Sequence, residues 1–318
     1  FAAAAASVGI IALAGSVSSR NALWIQQWPE QIYSLASLGR DPLPANTFGP
    51  SLEGKGWPEG TYQIGEGAGP IDTVVWGDSH ALALLPGFAA FAKSESVVLA
   101  AAAHPGCPPL MGVKFFGTRF AEPCARLNEE TLARVSKSDI RQVILTGYWK
   151  GFGYSLDSNN QPVHIAGISA SADSDDIFSA RLTATVERLR LAGKQVVVLG
   201  PIPVQKLRVL PTVLRHVGWG SPLPKEIQVD EFLEQHRRVM AGMRELEMLP
   251  NVRVVYPHQR LCSASACRYM DGEMPLYLDT NHLSAAGALY LRDMYVEALG
   301  SPNMTDIATG STKRLTAN

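Results

Sequence analysis

Two short groups of residues carry the types and spacing of a serine-type active site. The first is Gly77-Asp78-Ser79-His80, directly after an apolar run, and the second is Asp279-Thr280-Asn281-His282-Leu283-Ser284, near the C-terminal end. A serine hydroxyl is a weak nucleophile and needs an adjacent base. A histidine held by a carboxylate supplies one, because the carboxylate fixes the imidazole tautomer and stabilises the imidazolium. Asp279 and His282 are three positions apart, so one short turn can join their side chains. Ser79 falls at a predicted strand-to-helix turn, where the free N–H groups of a helix start can stabilise an oxyanion. Gly77 lets the backbone turn tightly and approach a substrate. Ser284 caps the helix that fixes the Asp279–His282 turn. Each group also has a plainer reading: Asp78 or Ser79 as a helix cap, Asp279 as a loop acid and His282 as a surface histidine.

The elements that must position these groups follow from hydrophobic patterning. Strands are predicted at 71–76, 97–100, 142–146, 195–199 and 252–256. Helices are predicted at about 81–92, 125–136, 175–192, 229–249 and 285–299. A polar loop occupies about 150–172, and a Pro-broken excursion occupies 201–228. Gln195-Val196-Val197-Val198-Leu199 is continuously apolar after its first residue, as a strand covered on both faces would be. Short apolar strands alternating with helices indicate a parallel sheet with helices on both sides. In such a sheet, ligands collect at the carboxyl ends of the strands, where Ser79 stands.

Composition removes other classes. The 318 residues are 46% hydrophobic and 18% charged, enough apolar material for a core and too much for a disordered chain. Lys+Arg number 28 and Asp+Glu 29, a net charge of −1, which argues against a basic nucleic-acid-binding face. Gly65-Glu66-Gly67-Ala68-Gly69-Pro70 ends in Pro where a dinucleotide loop needs its last Gly, and no strand precedes it. No phosphate loop or His-Glu-x-x-His zinc motif occurs. His104, His164, His216, His236 and His258 lack ligand spacing, so neither a metal nor a cofactor is expected. Arg237-Arg238 reads as a solvated helix face.

Cys107, Cys124, Cys262 and Cys267 form two separate sequence pairs in loops. They read as two local disulfides of an oxidising compartment, the alternative being four reduced, buried thiols. Phe1 to Val17 is free of charge, and seventeen helical residues span about 26 Å, slightly less than a hydrocarbon core of about 30 Å. With Trp24, Trp28 and Tyr33 following, residues 1–20 read as the end of a transmembrane helix, the alternative being an Ala-rich surface helix or a stub. Residues 21–70, broken by Leu43-Pro44, Gly49-Pro50, Trp57-Pro58 and Gly69-Pro70, read as an irregular linker; 71–300 form the domain and 301–318 a polar tail.

A serine after the first strand together with Asp-x-x-His before the last helix resembles the SGNH, or GDSL-like, hydrolase superfamily, from about residue 71 to 300. The resemblance implies a three-layer α/β/α sandwich with a flavodoxin-like parallel sheet, Ser79 as nucleophile, His282 as general base and Asp279 as its orienting partner. Three details are similar to the SGNH domains fused to acyltransferase-3 membrane domains of bacterial surface-polysaccharide O-acyltransferases. These are His80 in fourth place of the first block, the loop Pro105-Gly106-Cys107-Pro108-Pro109-Leu110 followed by Cys124, and a strand ending in Tyr148-Trp149. An Asn of the third block usually supplies an oxyanion donor in the superfamily. Here Thr146-Gly147-Tyr148-Trp149-Lys150 has none, and Asn159 and Asn160 lie too far along. The hole is therefore expected to rest on the Ser79 N–H and an N–H of the Gly106 loop. Trp149 either stacks on a sugar ring or fills the strand end as a buried aromatic.

The resemblance implies a membrane-tethered domain in the periplasm or an equivalent space. There it takes an acyl group, preferably acetyl, from the acyltransferase-3 domain of the same protein and passes it to a surface polysaccharide. Hydrolysis by the same triad, as a carbohydrate esterase, is the first alternative. A non-catalytic glycan-docking domain is the second.

Overall fold

Runs rich in Val, Ile and Ala, with almost no charge inside them, form the central sheet because both of their faces are covered. The computed structural model describes residues 49–111, 121–149 and 174–300. In chain order the elements are β1 (Thr61–Ile64), β2 (Thr73–Gly77), α1 (Ser79–Glu95), β3 (Leu99–Ala103), α2 (Ala121–Val135), β4 (Gln142–Thr146), α3 (Ser174–Leu191), β5 (Gln195–Leu199) and α4 (Val209–Trp219). There follow β6 (Ile227–Gln228), α5 (Val229–Gln235), α6 (Arg237–Leu246), β7 (Val252–Val255), α7 (His258–Leu261), β8 (Ala266–Cys267), β9 (Met270–Asp271), β10 (Met274–Pro275), α8 (Ala285–Tyr290) and α9 (Arg292–Leu299).

Six strands form one sheet in the order β1-β3-β2-β4-β5-β7. All neighbours are parallel except the edge pair, where β1 runs antiparallel to β3. Without β1 the order is the doubly wound, flavodoxin-like one, and the direction of winding reverses at β2. The chain leaves β2 for β3 on one side and returns to β4 on the other, which opens a crevice at their carboxyl ends.

Successive strand residues point to opposite faces, and the two cores divide accordingly. Val75, Ile144, Val197 and Val255 face a core shared with Leu84 and Phe88 of α1 and Met294 and Tyr295 of α9. Val74, Trp76, Val143, Leu145, Val198 and Val254 face the other, with Leu127 of α2, Val186 of α3 and Met243 of α6. The result is the three-layer α/β/α sandwich expected from the sequence.

Local boundaries differ where tertiary contacts decide them. β1 lies in the stretch read as irregular; its four residues gain their order from antiparallel pairing with the alanine-rich β3. The strand predicted from Val97 begins at Leu99, because Ser96 caps α1 with φ 54° and the Val97 N–H still donates to the Ala92 carbonyl. The Pro-broken excursion contains α4; Pro211 sits in its first turn, where no intrahelical N–H is needed. The long helices predicted at 229–249 and 285–299 are each divided, at His236 and at Leu291. The expected membrane segment 1–20, the loop 150–172 and the tail 301–318 lie outside the described residues. Among the described residues no helix is long and apolar enough to cross a membrane.

Both local cysteine pairs are disulfides, Cys107–Cys124 and Cys262–Cys267. The first ties the loop after β3 to α2. Asn128 of α2 reinforces the tie, accepting from the Trp76 indole N–H at 2.9 Å and donating to the Pro108 carbonyl at 2.9 Å. The loop is thereby held beside the end of β2. With 17 positions between the bridged cysteines, removing this cross-link costs about 3 kcal/mol of unfolding free energy. Cys107→Ser/Cys124→Ser is expected to lower the urea midpoint correspondingly, and an unchanged midpoint would contradict this role.

Candidate active site

Ser79 is the first residue of α1, and its position follows from how β2 ends. A Cβ on Gly77 would lie 2.0 Å from the Thr146 carbonyl oxygen of β4, so only glycine permits the two strand ends to approach so closely. The chain then turns at Asp78, whose extended backbone and side chain cap the helix: Oδ1 accepts the His80 N–H at 2.8 Å. The capping role read from the sequence is therefore real, and it sits directly beside the serine. The Ser79 hydroxyl faces the C-terminal loop rather than its own backbone.

That loop is a tight turn. The His282 N–H and the Asn281 N–H both donate to Asp279 Oδ1, at 2.8 and 2.9 Å. Asp279 Oδ2 is left to face His282 Nδ1 at 2.7 Å. Beyond it, the Ser284 hydroxyl accepts the Gly287 N–H and donates to the Pro275 carbonyl, which caps α8 and anchors the turn. On the other side the Val209 N–H donates to the Asp279 carbonyl at 3.1 Å, so α4 also braces it.

The two groups meet: His282 Nε2 lies 2.8 Å from Ser79 Oγ. An ionised carboxylate only accepts, so the proton of the neutral ring is on Nδ1 and the Nε2 lone pair accepts the serine O–H. Asp279 is the first cause of a raised His282 pKa, through its hydrogen bond; burial opposes this, and the charges of Asp279 and Asp78 add to it. Burial pushes the Asp279 carboxyl up, but the His282 hydrogen bond and the two backbone N–H groups outweigh it and hold the group far below the usual carboxylate range. With side-chain exposures of 31% and 37%, His282 and Asp279 remain open to a ligand. The arrangement can take a proton from an alcohol held at Ser79 and return it to a leaving group.

Three further residues shape the site. Asp78 is fully buried, and burial raises its pKa to about 6 although two backbone N–H groups, those of Tyr148 and His80, bond to it. The Tyr148 N–H reaches Asp78 Oδ2 at 2.8 Å, which ties the end of β4 to the start of α1. His80 is buried with neither ring nitrogen hydrogen-bonded. Its ring stacks on Tyr148, with centroids 5.1 Å apart, and tilts against His282 at 5.0 Å. Burial first, then the neighbouring His282, lowers its pKa to about 3. His80 is thus a neutral wall beside the titrating His282. The Asp78–Tyr148 contact was not legible in sequence, because it depends on the β2–β4 register that pairs Gly77 with Thr146; only the capping position of Asp78 signalled it.

The remaining expected site residues separate. Gly106, at φ +70°, lies in the loop that begins where the His104 N–H donates to the Gly77 carbonyl at 3.2 Å, beside the serine turn. Trp149 is 2% exposed, and its indole N–H donates to the Leu199 carbonyl at 2.5 Å. Of the two readings, sugar stacking or buried strand-end aromatic, the ring's place in the core under β4 and β5 favours the second. Among the described residues no group of three or more His, Cys, Asp or Glu is placed to hold a metal.

A family model described as an SGNH domain fused to AT3 domains matches residues 47–297. The periplasmic domain of a lipopolysaccharide acetyltransferase from Salmonella ser. Paratyphi A shares the fold, with 15% identity and a TM-score of 0.57 over 88% of this chain and 99% of that one. A salicylyl-acyltransferase from a tetracycline biosynthetic pathway aligns at 15% identity and TM-score 0.38, covering 77% of this chain and 56% of that one. A GDSL-like lipase from Bacteroides thetaiotaomicron aligns at 11% identity and TM-score 0.38, covering 74% and 88%. No curated protein matches the chain.

The electrostatics separate the two neighbouring histidines. In an NMR titration of the ring resonances, His282 is expected to take up its proton above pH 6.5, while His80 stays neutral down to about pH 3. Asp279→Asn should bring the His282 midpoint down. A His282 midpoint unmoved by that change would contradict the assigned cause.

Proposed function

The chain belongs to the family of SGNH domains fused to AT3 domains, and from that premise we propose that it is an O-acyltransferase domain acting on a bacterial cell-surface polysaccharide. Family membership makes it a serine-type acyltransferase or esterase. The observation that carries the finer reading is the continuous hydrogen-bonded series Ser79–His282–Asp279 at the strand-end crevice of a domain whose family is coupled to a membrane partner.

In this reading Ser79 Oγ attacks the carbonyl of an acyl donor delivered by the AT3 domain, as its proton passes to His282 Nε2. The tetrahedral intermediate collapses when the leaving group takes that proton, and an acyl-Ser79 ester remains. An acceptor hydroxyl then gives its proton to His282 and attacks the ester; Ser79 leaves and recovers the proton. Asp279 holds the Nδ1 proton in place and stabilises the imidazolium in both halves. In this reading the N–H groups of Ser79, at the start of α1, and of Gly106 face the oxyanion. The acyl group is acetyl in this reading; the Salmonella domain of similar fold comes from an acetyltransferase.

Two disulfides in the domain support an oxidising, periplasmic location, and the AT3 coupling supports tethering at the inner membrane.

In the full-length enzyme, Ser79→Ala is expected to reduce glycan acylation by at least about a thousandfold, with His282→Ala comparable and the double variant no worse than either. Retained acylation in Ser79→Ala would refute the acyl-serine route. Because His282 must be neutral to act as base and its pKa is raised, kcat/KM with an aryl acetate should rise with pH through a midpoint above 6.5. Turnover of the aryl acetate that is fast without sugar and not diverted by an added acceptor would favour the esterase reading.

A further inference from the structure

A groove of about 410 Å³ lies against α4, between the first turns of that helix and the segment 221–224. Arg208, Pro211 and Arg215 line one wall, and Pro222 and Pro224 the other. The chain at the start of α4, which flanks the groove, is joined to the catalytic turn by main-chain bonds: the Gln205 N–H donates to the Thr280 carbonyl at 2.7 Å, and the Val209 N–H to the Asp279 carbonyl at 3.1 Å.

The side chains along it are regularly placed. Arg208, Thr212 and Arg215 follow one another at four and three residues, so they share one side of the start of α4 over about 10 Å. Arg208 and Arg215 are exposed, and neither makes an ion pair with a carboxylate among the described residues. Arg215 gives one N–H to Thr212 Oγ1 at 3.1 Å, which holds the guanidinium over the groove. The adjacent Lys206 is already paired with Glu231 at 2.7 Å and adds no free charge. In a chain of net charge −1 this is a local arrangement, not the overflow of a basic surface. The prolines give the opposite wall a shape that needs no ordering on binding.

We infer that this groove is the docking subsite for acidic saccharide units of the acceptor polymer, whose carboxylates pair with Arg208 and Arg215 while a neighbouring hydroxyl enters the crevice at Ser79. The inference rests on the acyl-acceptor reading and names its substrate class. Guanidinium groups suit this task, since their planar fork matches a carboxylate bidentately.

Binding is measured by calorimetry on the Ser79→Ala chain, so the result does not depend on whether Ser79 carries the acyl group. Hexagalacturonate is the acidic probe, maltohexaose the neutral one, and inorganic polyphosphate tests phosphate as the recognised group. Hexagalacturonate is expected to bind, more weakly as salt is raised, and maltohexaose to bind far less. Arg208→Gln/Arg215→Gln should weaken hexagalacturonate about tenfold, the combined effect of two exposed ion pairs. Lys55→Gln/Lys93→Gln, which removes the same charge elsewhere on the surface, should leave it unchanged. Equal loss in both double variants, equal binding of maltohexaose, binding of polyphosphate alone, or no binding of hexagalacturonate would each overturn the inference.

Discussion

The hydrogen bond between Ser79 and His282 joins residues 203 positions apart, and nothing local to either can make it. It requires that the first helix start at the end of β2 and that the C-terminal turn return to the same strand ends. The parallel sheet supplies both conditions. Reversal of winding at β2 leaves the crevice open there, and the apolar strands, buried on both faces, fix the register that brings Gly77 beside Thr146. Shifting this register by one residue would turn every side chain to the opposite core, so the site inherits its precision from the hydrophobic pattern.

Around that bond, buried polar groups are arranged so that each of the two titrating partners has its own environment. Asp279 is open enough to stay ionised and receives three hydrogen bonds. Asp78 is shut away, its pKa raised by burial to about 6, and it spends its oxygens on the N–H groups of His80 in α1 and of Tyr148 just after β4. His80, its ring nitrogens without hydrogen bonds and its pKa lowered by burial to about 3, packs between Tyr148 and His282 as a neutral ring. Two carboxylates of one chemical type thereby do different work, one electrostatic and one architectural, and the difference comes from solvation and not from sequence spacing.

Much of this was legible in the sequence, for physical reasons. Gln142–Thr146 and Gln195–Leu199 have the same bounds as read, because β-branched residues buried on both faces leave little choice of structure. The two groups that meet in the crevice were legible because serine, histidine and aspartate at a strand-to-helix turn and a short loop are readily joined by this topology. β3 was blurred: alanine carries little strand preference, and its partners β1 and β2 define it. Trp149 was ambiguous because a strand-end aromatic suits either a sugar or a core, and a carbonyl 50 residues away decided the matter. The cysteine pairs were visible as pairs, while their oxidation depends on the approach of Cα atoms, 5.3 Å apart in the first bridge.

The most direct test of the central claim is to look for the covalent ester itself. The protein is mixed with an aryl acetate, quenched in acid within the first turnovers, digested and read by peptide mass spectrometry. An acetyl group on Ser79, absent when His282 is replaced by alanine, is the predicted result. An acetyl group on a different residue, or turnover with Ser79 never modified, would contradict the account.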